Sequence, residues 1–425
     1  MAYDILRRRI DDFAAGIDDG RVRSMFLNCF FSTLDTTTEM LDDGTAFIFT
    51  GDIPAMWLRD SSMQVAGYLP HAAQDPDVKR MIAGLLLRQY RFIMLDPYAN
   101  AFNHRPHEDR HIDQTDFYSD FVWERKYEID SLCFPLWLTE KYYAATADTS
   151  VLGSDFLNAF DKILQTFNTE QSHDRLSPYF FRRDGQYHYD TLENGGKGSP
   201  TAECGLTWSG FRPSDDRCMY HYLIPSNFFA ASAMEKIAEL LSSVLKDSAR
   251  AGAARTFAAQ VREGIKNHAV VTHPQFGEIY AYETDGMGNY NLMDDANVPS
   301  LLSLPYLGCC EKDDPIYQNT RRFVLSKFNP YYFEGRFAKG IGSPHTPKDH
   351  IWPIALVMQL LTSGSREEAE ACFEMLISTD AGCGCMHESF HKDDPAVFTR
   401  EWFAWANTLF GLAAVKMFSS LKSKL

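Results

Sequence analysis

The sequence is short of base. Its 425 residues hold 41 Lys and Arg against 57 Asp and Glu, a formal charge of −16. Nucleic acids and anionic membrane surfaces call for a basic face, so neither is expected as a partner. There is no uninterrupted run of about 18 apolar residues, which excludes a membrane-spanning helix. The basic opening Met1-Ala2-Tyr3-Asp4-Ile5-Leu6-Arg7-Arg8-Arg9 has no apolar stretch behind it, so no secretory leader is read. Nine cysteines, an odd number, lie between Cys29 and Cys385 without paired spacing. They read as reduced thiols, and the expected location is the cytoplasm.

Other absences narrow the fold. No Pro/Gly/Ser-rich linker divides the chain, and no repeat of fixed period is visible. One all-α domain over residues 1–425 is therefore expected. Hydrophobic residues make up 45% and aromatics 14%, which excludes intrinsic disorder. Alternating strand patterns are few and short, the best being Phe47-Ile48-Phe49 and the stretch around 179–189. G-x-S-x-G, P-loop and H-E-x-x-H patterns are all missing, and Gly340-Ile341-Gly342 lacks the spacing of a dinucleotide site.

Helical periodicity, by contrast, recurs from end to end. Leu6/Ile10/Phe13/Ala14/Ile17, Val78/Ile82/Leu85/Leu86/Ile93, Phe156/Ala159/Phe160/Ile163/Leu164/Phe167 and Ile237/Leu240/Leu241/Val244 each fall on one helix face. With shorter candidates near 21–34, 61–70, 130–145, 298–306 and 351–362, roughly a dozen helices are expected. An unbroken all-α chain of this length suits a solenoid or a closed double ring of helices. The missing repeat favours the ring.

Six connections between these helices are long and rich in Trp, Tyr, Asp, Glu, His and Arg: 51–62, 103–130, 171–226, 282–299, 329–353 and 382–400. Long structured loops in a compact domain are usually functional. Gathered on one mouth of a ring, they would line a single polar and aromatic pocket. Trp57, Arg59 and Asp60 lie within four residues. They offer an aromatic surface for a sugar's C–H face and charged groups for vicinal hydroxyls. Helix capping by Asp60 would account for the same acid. Trp208, Phe211, Arg212, Asp215 and Asp216 form a denser cluster. An acid beside aromatic surface and a second carboxylate retains its proton, as a general acid requires. Capping competes here too, although two adjacent acids cannot fill one cap. Glu388 is a further acid, in a loop closed by Arg400–Trp405. Cys383, Cys385 and His387 precede it with a spacing unlike the common zinc patterns, so no metal and no cofactor is expected. Glu128, Asp130, Asp295, Asn297, His345 and Trp352 complete the inventory of a carbohydrate pocket.

The segments Gly51-Asp-Ile-Pro-Ala-Met-Trp-Leu-Arg-Asp-Ser61, Tyr127-Glu-Ile-Asp-Ser131, Thr207-Trp-Ser-Gly-Phe-Arg-Pro-Ser-Asp-Asp216, Asp294-Asp-Ala-Asn297, Ser343-Pro-His-Thr346 and Met386-His-Glu-Ser-Phe390 occur in this order, followed by Phe403-Ala-Trp-Ala-Asn407. Over about residues 25–415 the chain resembles glycoside hydrolase family 125, exo-α-1,6-mannosidases of bacteria and fungi. The resemblance implies an (α/α)6 barrel and metal-independent, inverting hydrolysis of a terminal α-1,6-linked mannose from an N-glycan fragment or mannan oligosaccharide. It implies Asp215 as general acid, with Asp216 the second choice, and Glu388 as general base. Trp57, Arg59 and Asp60 would belong to the terminal-sugar subsite. Glu128, Asp130, Trp208, Arg212, Asp216, Asp295, Asn297, His345, Trp352 and His387 would be further substrate-binding positions. Inversion calls for a carboxyl separation of roughly 6.5–9.5 Å, with Arg59 or Arg212 beside Glu388 to keep it ionised. Two alternatives are another exo-glycosidase on the same architecture, α-glucosidase-like or trehalase-like, and a non-catalytic glycan-binding protein.

Overall fold

The computed structural model describes residues 2–106, 113–185 and 187–422. Thirteen α-helices occur among them: α1 (Asp4–Ala14), α2 (Gly20–Ser32), α3 (Leu58–Ala66), α4 (Pro76–Leu95), α5 (Ile129–Thr146), α6 (Ser154–Glu170), α7 (His173–Leu176), α8 (Ile224–Ser243), α9 (Ser248–His268), α10 (Pro315–Val324), α11 (Pro353–Thr362), α12 (Arg366–Ser378) and α13 (Ala404–Lys422). Their starts follow local chemistry. Proline stands in the first turn of α4, α8, α10 and α11, where its missing N–H costs nothing. The carboxylates of Asp19, Asp75, Asp247 and Asp314 accept backbone N–H groups ahead of α2, α4, α9 and α10.

Two layers emerge from the burial of these helices. Every residue of α3 is buried, and α5, α8 and α11 bury most of theirs. A helix apolar on nearly all sides must lie inside, whereas the amphipathic α2, α4, α6, α9 and α12 bury one stripe. Contacts run α11–α13–α3–α5–α8 through the inner layer, while α2 packs on α13, α4 on α5, α9 on α8 and α12 on α11. The core cluster extends from Tyr3 to Ala414.

The expected helix at 298–306 is instead a series of turns. Pro299 and Pro305 bracket it, and Ser300 and Ser303 bond each other's backbone N–H groups. Asp294 takes the N–H groups of Leu301 and Leu302. Side-chain acceptors of this kind compete with helical bonding. The segment that follows this stretch meets α8, where Ser232 Oγ donates to the Gly308 carbonyl.

Strands are more numerous than the sequence pattern indicates: seventeen among the described residues, of two to six residues each. Segments this short cannot display a two-residue alternation. Their placement matters. Ala55–Trp57 runs straight into α3, Tyr222–Leu223 into α8, and His350–Ile351 ends one residue before α11. Val122–Glu124 and Asp394–Thr399 precede α5 and α13 by a few residues. Short ladders thus fix the loops that enter the N-terminal ends of the inner helices. Among the described residues no helix is long and apolar enough to cross a membrane.

Gly84 of α4 lies against the strand Ala46–Ile48. A Cβ there would stand 2.9 Å from both the Gly44 carbonyl oxygen and the Ala46 nitrogen. Backbone atoms cannot rotate away, so Gly84→Val is expected to cost about 1–3 kcal/mol, measured as a lower urea midpoint with unchanged m-value.

Candidate active site

A cavity of about 260 Å³ opens at the N-terminal ends of the inner helices, and its lining includes Trp57, Arg59, Asp60, Pro213, Ser214, Asp215, Asn297, His345, Trp352, Glu388, Arg400, Phe403 and Trp405. Five of the six long loops reach its wall directly. The sixth contributes Glu128 and Asp130 underneath, bonded to Arg59.

Arg59 is the hub. Its Nη1 lies 2.5 Å from Glu128 Oε2 and 3.0 Å from Asp130 Oδ2, its Nε 3.5 Å from Asp60 Oδ2, and its Nη2 3.7 Å from Asp215 Oδ1. Four carboxyl groups thus surround one guanidinium in a buried site. One cation cannot neutralise four anions away from water, so protons must be retained there. Burial pushes Glu128 well above the usual carboxyl range; Arg59 opposes this, while Asp130 and a direct contact with the Asp215 carboxyl add to it. Asp60 is raised to about 6, chiefly by burial, against the pull of Arg59. Capping does not explain Asp60: α3 begins after Trp57 without a side-chain cap.

Asp215 sits at the tip of a tight hairpin. Phe211 and Arg217 pair across it, the Arg212 N–H donates to the Asp216 carbonyl, and the Asp215 N–H donates to the Arg212 carbonyl. The turn places Asp215 in the left-handed region at φ 66°, where Asp is among the better-tolerated side chains. Lys126 Nζ fixes its carbonyl at 2.8 Å, and Asn100 Nδ2 donates to its Oδ1 at 3.3 Å. Adjacent Asp216 turns away: its side chain is 4% exposed against 28% for Asp215, and its Oδ1 lies 2.9 Å from His345 Nδ1. Burial opposes charge on His345, but Asp216, with Asp215 and Glu388 behind it, raises the imidazole to about 9.

Glu388 enters from the far end of the chain, on the strand side of α13. Its N–H donates to the Arg400 carbonyl, and its Oε1 lies 3.4 Å from Arg400 Nη1. Arg400 also bonds Asp52 from the first pocket loop. The cation beside Glu388 is therefore Arg400. Arg59 is committed to its carboxylate ring, and Arg212 Nε is held 2.6 Å from Glu283 Oε1. Arg400, Asn100, Lys126 and Glu283 are thus contacts that motif reading does not supply, although Lys126 stands directly before Tyr127-Glu-Ile-Asp-Ser131 and Arg400 opens the segment that closes the Glu388 loop.

Besides Glu128 and Asp130, five expected positions, Trp208, Arg212, Asp216, Asp295 and His387, do not line this cavity. Trp208 is fully buried, stacked 3.7 Å from His173 and 4.5 Å from His221, and does not shield Asp215. The side-chain partners of Asp215 are polar, Arg59 at 3.7 Å and Asn100 at 3.3 Å. His387 stacks on Phe398 at 3.8 Å, with both ring nitrogens facing backbone carbonyls of Glu401 and Asp380. Arg212 faces a neighbouring cavity. Asp295 lies beneath the wall, accepting from Ser214 and Ser343 hydroxyls at 3.0 and 3.1 Å, and so steadies the hairpin that carries Asp215. Trp352 is fixed by its indole N–H on Thr346.

An aromatic-walled cavity with two carboxyl groups brought together on paired helical layers defines a helical glycosidase. Solved structures of distant relatives agree on the fold: a bacterial glucoamylase complexed with acarbose has a TM-score of 0.55 at 13% identity, over 89% of this chain and 51% of that one. Residues 19–415 match the family model of the metal-independent α-mannosidases, and the chain belongs to that family, glycoside hydrolase family 125. A Streptococcus pneumoniae metal-independent α-mannosidase, solved in a non-productive substrate complex with α-1,6-mannobiose, has a TM-score of 0.96 at 44% identity, covering 98% of this chain and 99% of that one. The meiotically up-regulated gene 157 protein of Schizosaccharomyces pombe is 38% identical over 95% of this chain and 84% of its own length.

Asp60 binds its proton more tightly folded than unfolded, because its ordinary value of 3.8 rises to about 6. Its contribution to stability therefore falls as pH rises from about 4 to 6. Asp60→Asn should remove a slope of about 1–3 kcal/mol across that window, read from urea unfolding of both proteins at several pH values.

Proposed function

We propose that this chain is an exo-acting α-1,6-mannosidase that inverts the anomeric carbon, with Asp215 as general acid and Glu388 as general base. The observation that carries the reading is that these two carboxyl groups, remote in sequence, line the same small cavity. Asp215 gives its proton to the glycosidic oxygen as the bond from the anomeric carbon breaks. A water, held on the opposite face by Glu388, bonds to that carbon and yields its proton to Glu388. The α-linkage is thereby released as β-mannose. Arg400 balances Glu388 as the base, and His345 lines the same cavity as the two acids. Trp57, Trp352 and Trp405 supply aromatic surface for the ring. Among the described residues, the buried indole N–H groups of Trp57 and Trp405 have no acceptor, as donors left for sugar hydroxyls would. Asp60, Asn297, Thr50 and Ser214 complete the polar wall. Arg59, Glu128, Asp130 and Asp295 act by position.

The substrate in this reading is a mannose-containing oligosaccharide of N-glycan or mannan origin. Support comes from the compact cavity, suited to one terminal ring, and from the mannobiose bound by the S. pneumoniae relative. The unbroken core favours one catalytic domain along the chain. A cytoplasmic location is in keeping with nine cysteines that are all free.

Asp215→Asn and Glu388→Gln should each lower kcat on α-1,6-mannobiose by about 10²–10⁴-fold while leaving the circular dichroism spectrum unchanged. Early-time NMR should detect β-mannose ahead of mutarotation. Full activity in both variants, or α-mannose as first product, rejects the assignment.

A further inference from the structure

A second cavity of about 640 Å³ adjoins the first, and Tyr189, Glu193, Arg217, Tyr220 and Tyr331 are among its lining residues. The two share walls. Along the acid's hairpin, Pro213, Ser214 and Asp215 face the catalytic cavity, whereas Arg212, Asp216 and Arg217 face the larger one. Pro344 and His345 divide in the same way, and the Asp216–His345 bond ties the two segments together. The wall is low in places: the side chains of Asp215 and His345 are 28% and 34% exposed. A chain attached to the glycosidic oxygen must leave the first cavity past Asp215, and the second lies across that wall.

The lining also specifies a chemical class. Its cations are matched: Arg217 Nη2 lies 2.6 Å from Glu193 Oε1, and Arg212 is held by Glu283. Among the described lining residues neither arginine is left without an acid partner, which favours a neutral ligand rich in hydroxyls. The charged pair Arg217–Glu193 offers adjacent donors and acceptors, and the aromatic surface continues outward. Tyr189 stacks on the exposed Tyr187 at 5.1 Å with an 18° tilt. Such a platform accepts the C–H face of a pyranose. The volume, more than twice that of the catalytic cavity, allows for more than one ring.

We propose that this cavity binds the second and third sugars of the leaving group, so that the enzyme discriminates oligosaccharides by length beyond the sugar attached to the cleaved bond. The inference rests on the hydrolytic reading above but is tested separately from it. Tyr189→Ala and Glu193→Ala would be compared with the parent protein on α-1,6-mannobiose and on linear α-1,6-mannotetraose. Expected are rates on mannobiose within about twofold of the parent and a loss of roughly tenfold in kcat/KM on mannotetraose. Equal losses on both substrates, or none on either, overturn the proposal. Calorimetric titration of mannotetraose and mannobiose into the Glu388→Gln protein, with and without Tyr189→Ala, gives a readout independent of turnover. A tighter tetraose that loses its advantage with Tyr189→Ala supports the site even if hydrolysis of either substrate fails. Equal affinity for both sugars in the Glu388→Gln protein overturns it.

Discussion

The site is organised by one guanidinium. Arg59 stands at the first turn of α3 and draws together carboxyl groups from α3 itself, from the start of α5 and from the hairpin before α8. No pair of these groups would be stable at such depth alone, because an unpaired buried charge is strongly penalised. Removing the cation would leave several acids in a low-dielectric setting. The arrangement therefore constrains three inner helices to meet at one level. It also explains why Glu128 and Asp130 are carboxyl groups. They hold Arg59 in place while burial keeps protons available near Asp215.

The two acids proposed for catalysis are supported in different ways. Asp215 depends on a strained hairpin tip anchored by Lys126 and Asn100, and on Asp295 below it through Ser214. Glu388 depends on the ladder Ser389–His391 with Asp394–Thr399, which returns Arg400 to its side. Arg400 itself takes a left-handed backbone conformation at φ 40° and reaches across to Asp52. Both proposed catalytic positions thus adjoin backbone conformations that ordinary side chains rarely adopt. Such conformations persist where surrounding bonds determine them, and they cluster at working sites.

The chemistry of adjacent residues separates Asp215 from Asp216. In sequence the two acids are equivalent neighbours. In space, a reversal of the hairpin sends one into the small cavity and the other onto His345 in the wall. Pairing with His345 commits Asp216 to structure and gives the wall a charged seam between two cavities of different size.

Much of this was legible in the chain itself. Periodic apolar stripes predicted most helices, Pro225 marked the start of α8, and the loops that converge on the cavity were recognisable by their length and composition. The motifs brought Trp57, Arg59, Asp60, Asp215 and Glu388 forward as one set. Sequence falls short where the outcome depends on contacts between distant segments. Trp208 and His387 are the residue types a sugar site uses, yet packing against His173 and Phe398 took them into the core. The helix expected at 298–306 lost to serine hydroxyls and to Asp294, whose position is set by the fold. Arg400 rather than Arg59 or Arg212 accompanies Glu388, because the ladder before α13 fixes that neighbour. Local patterns determine which segments are helical and which residues are capable of chemistry. Tertiary packing alone decides which of those residues share a cavity, since charge and burial act through space and take no account of order along the chain.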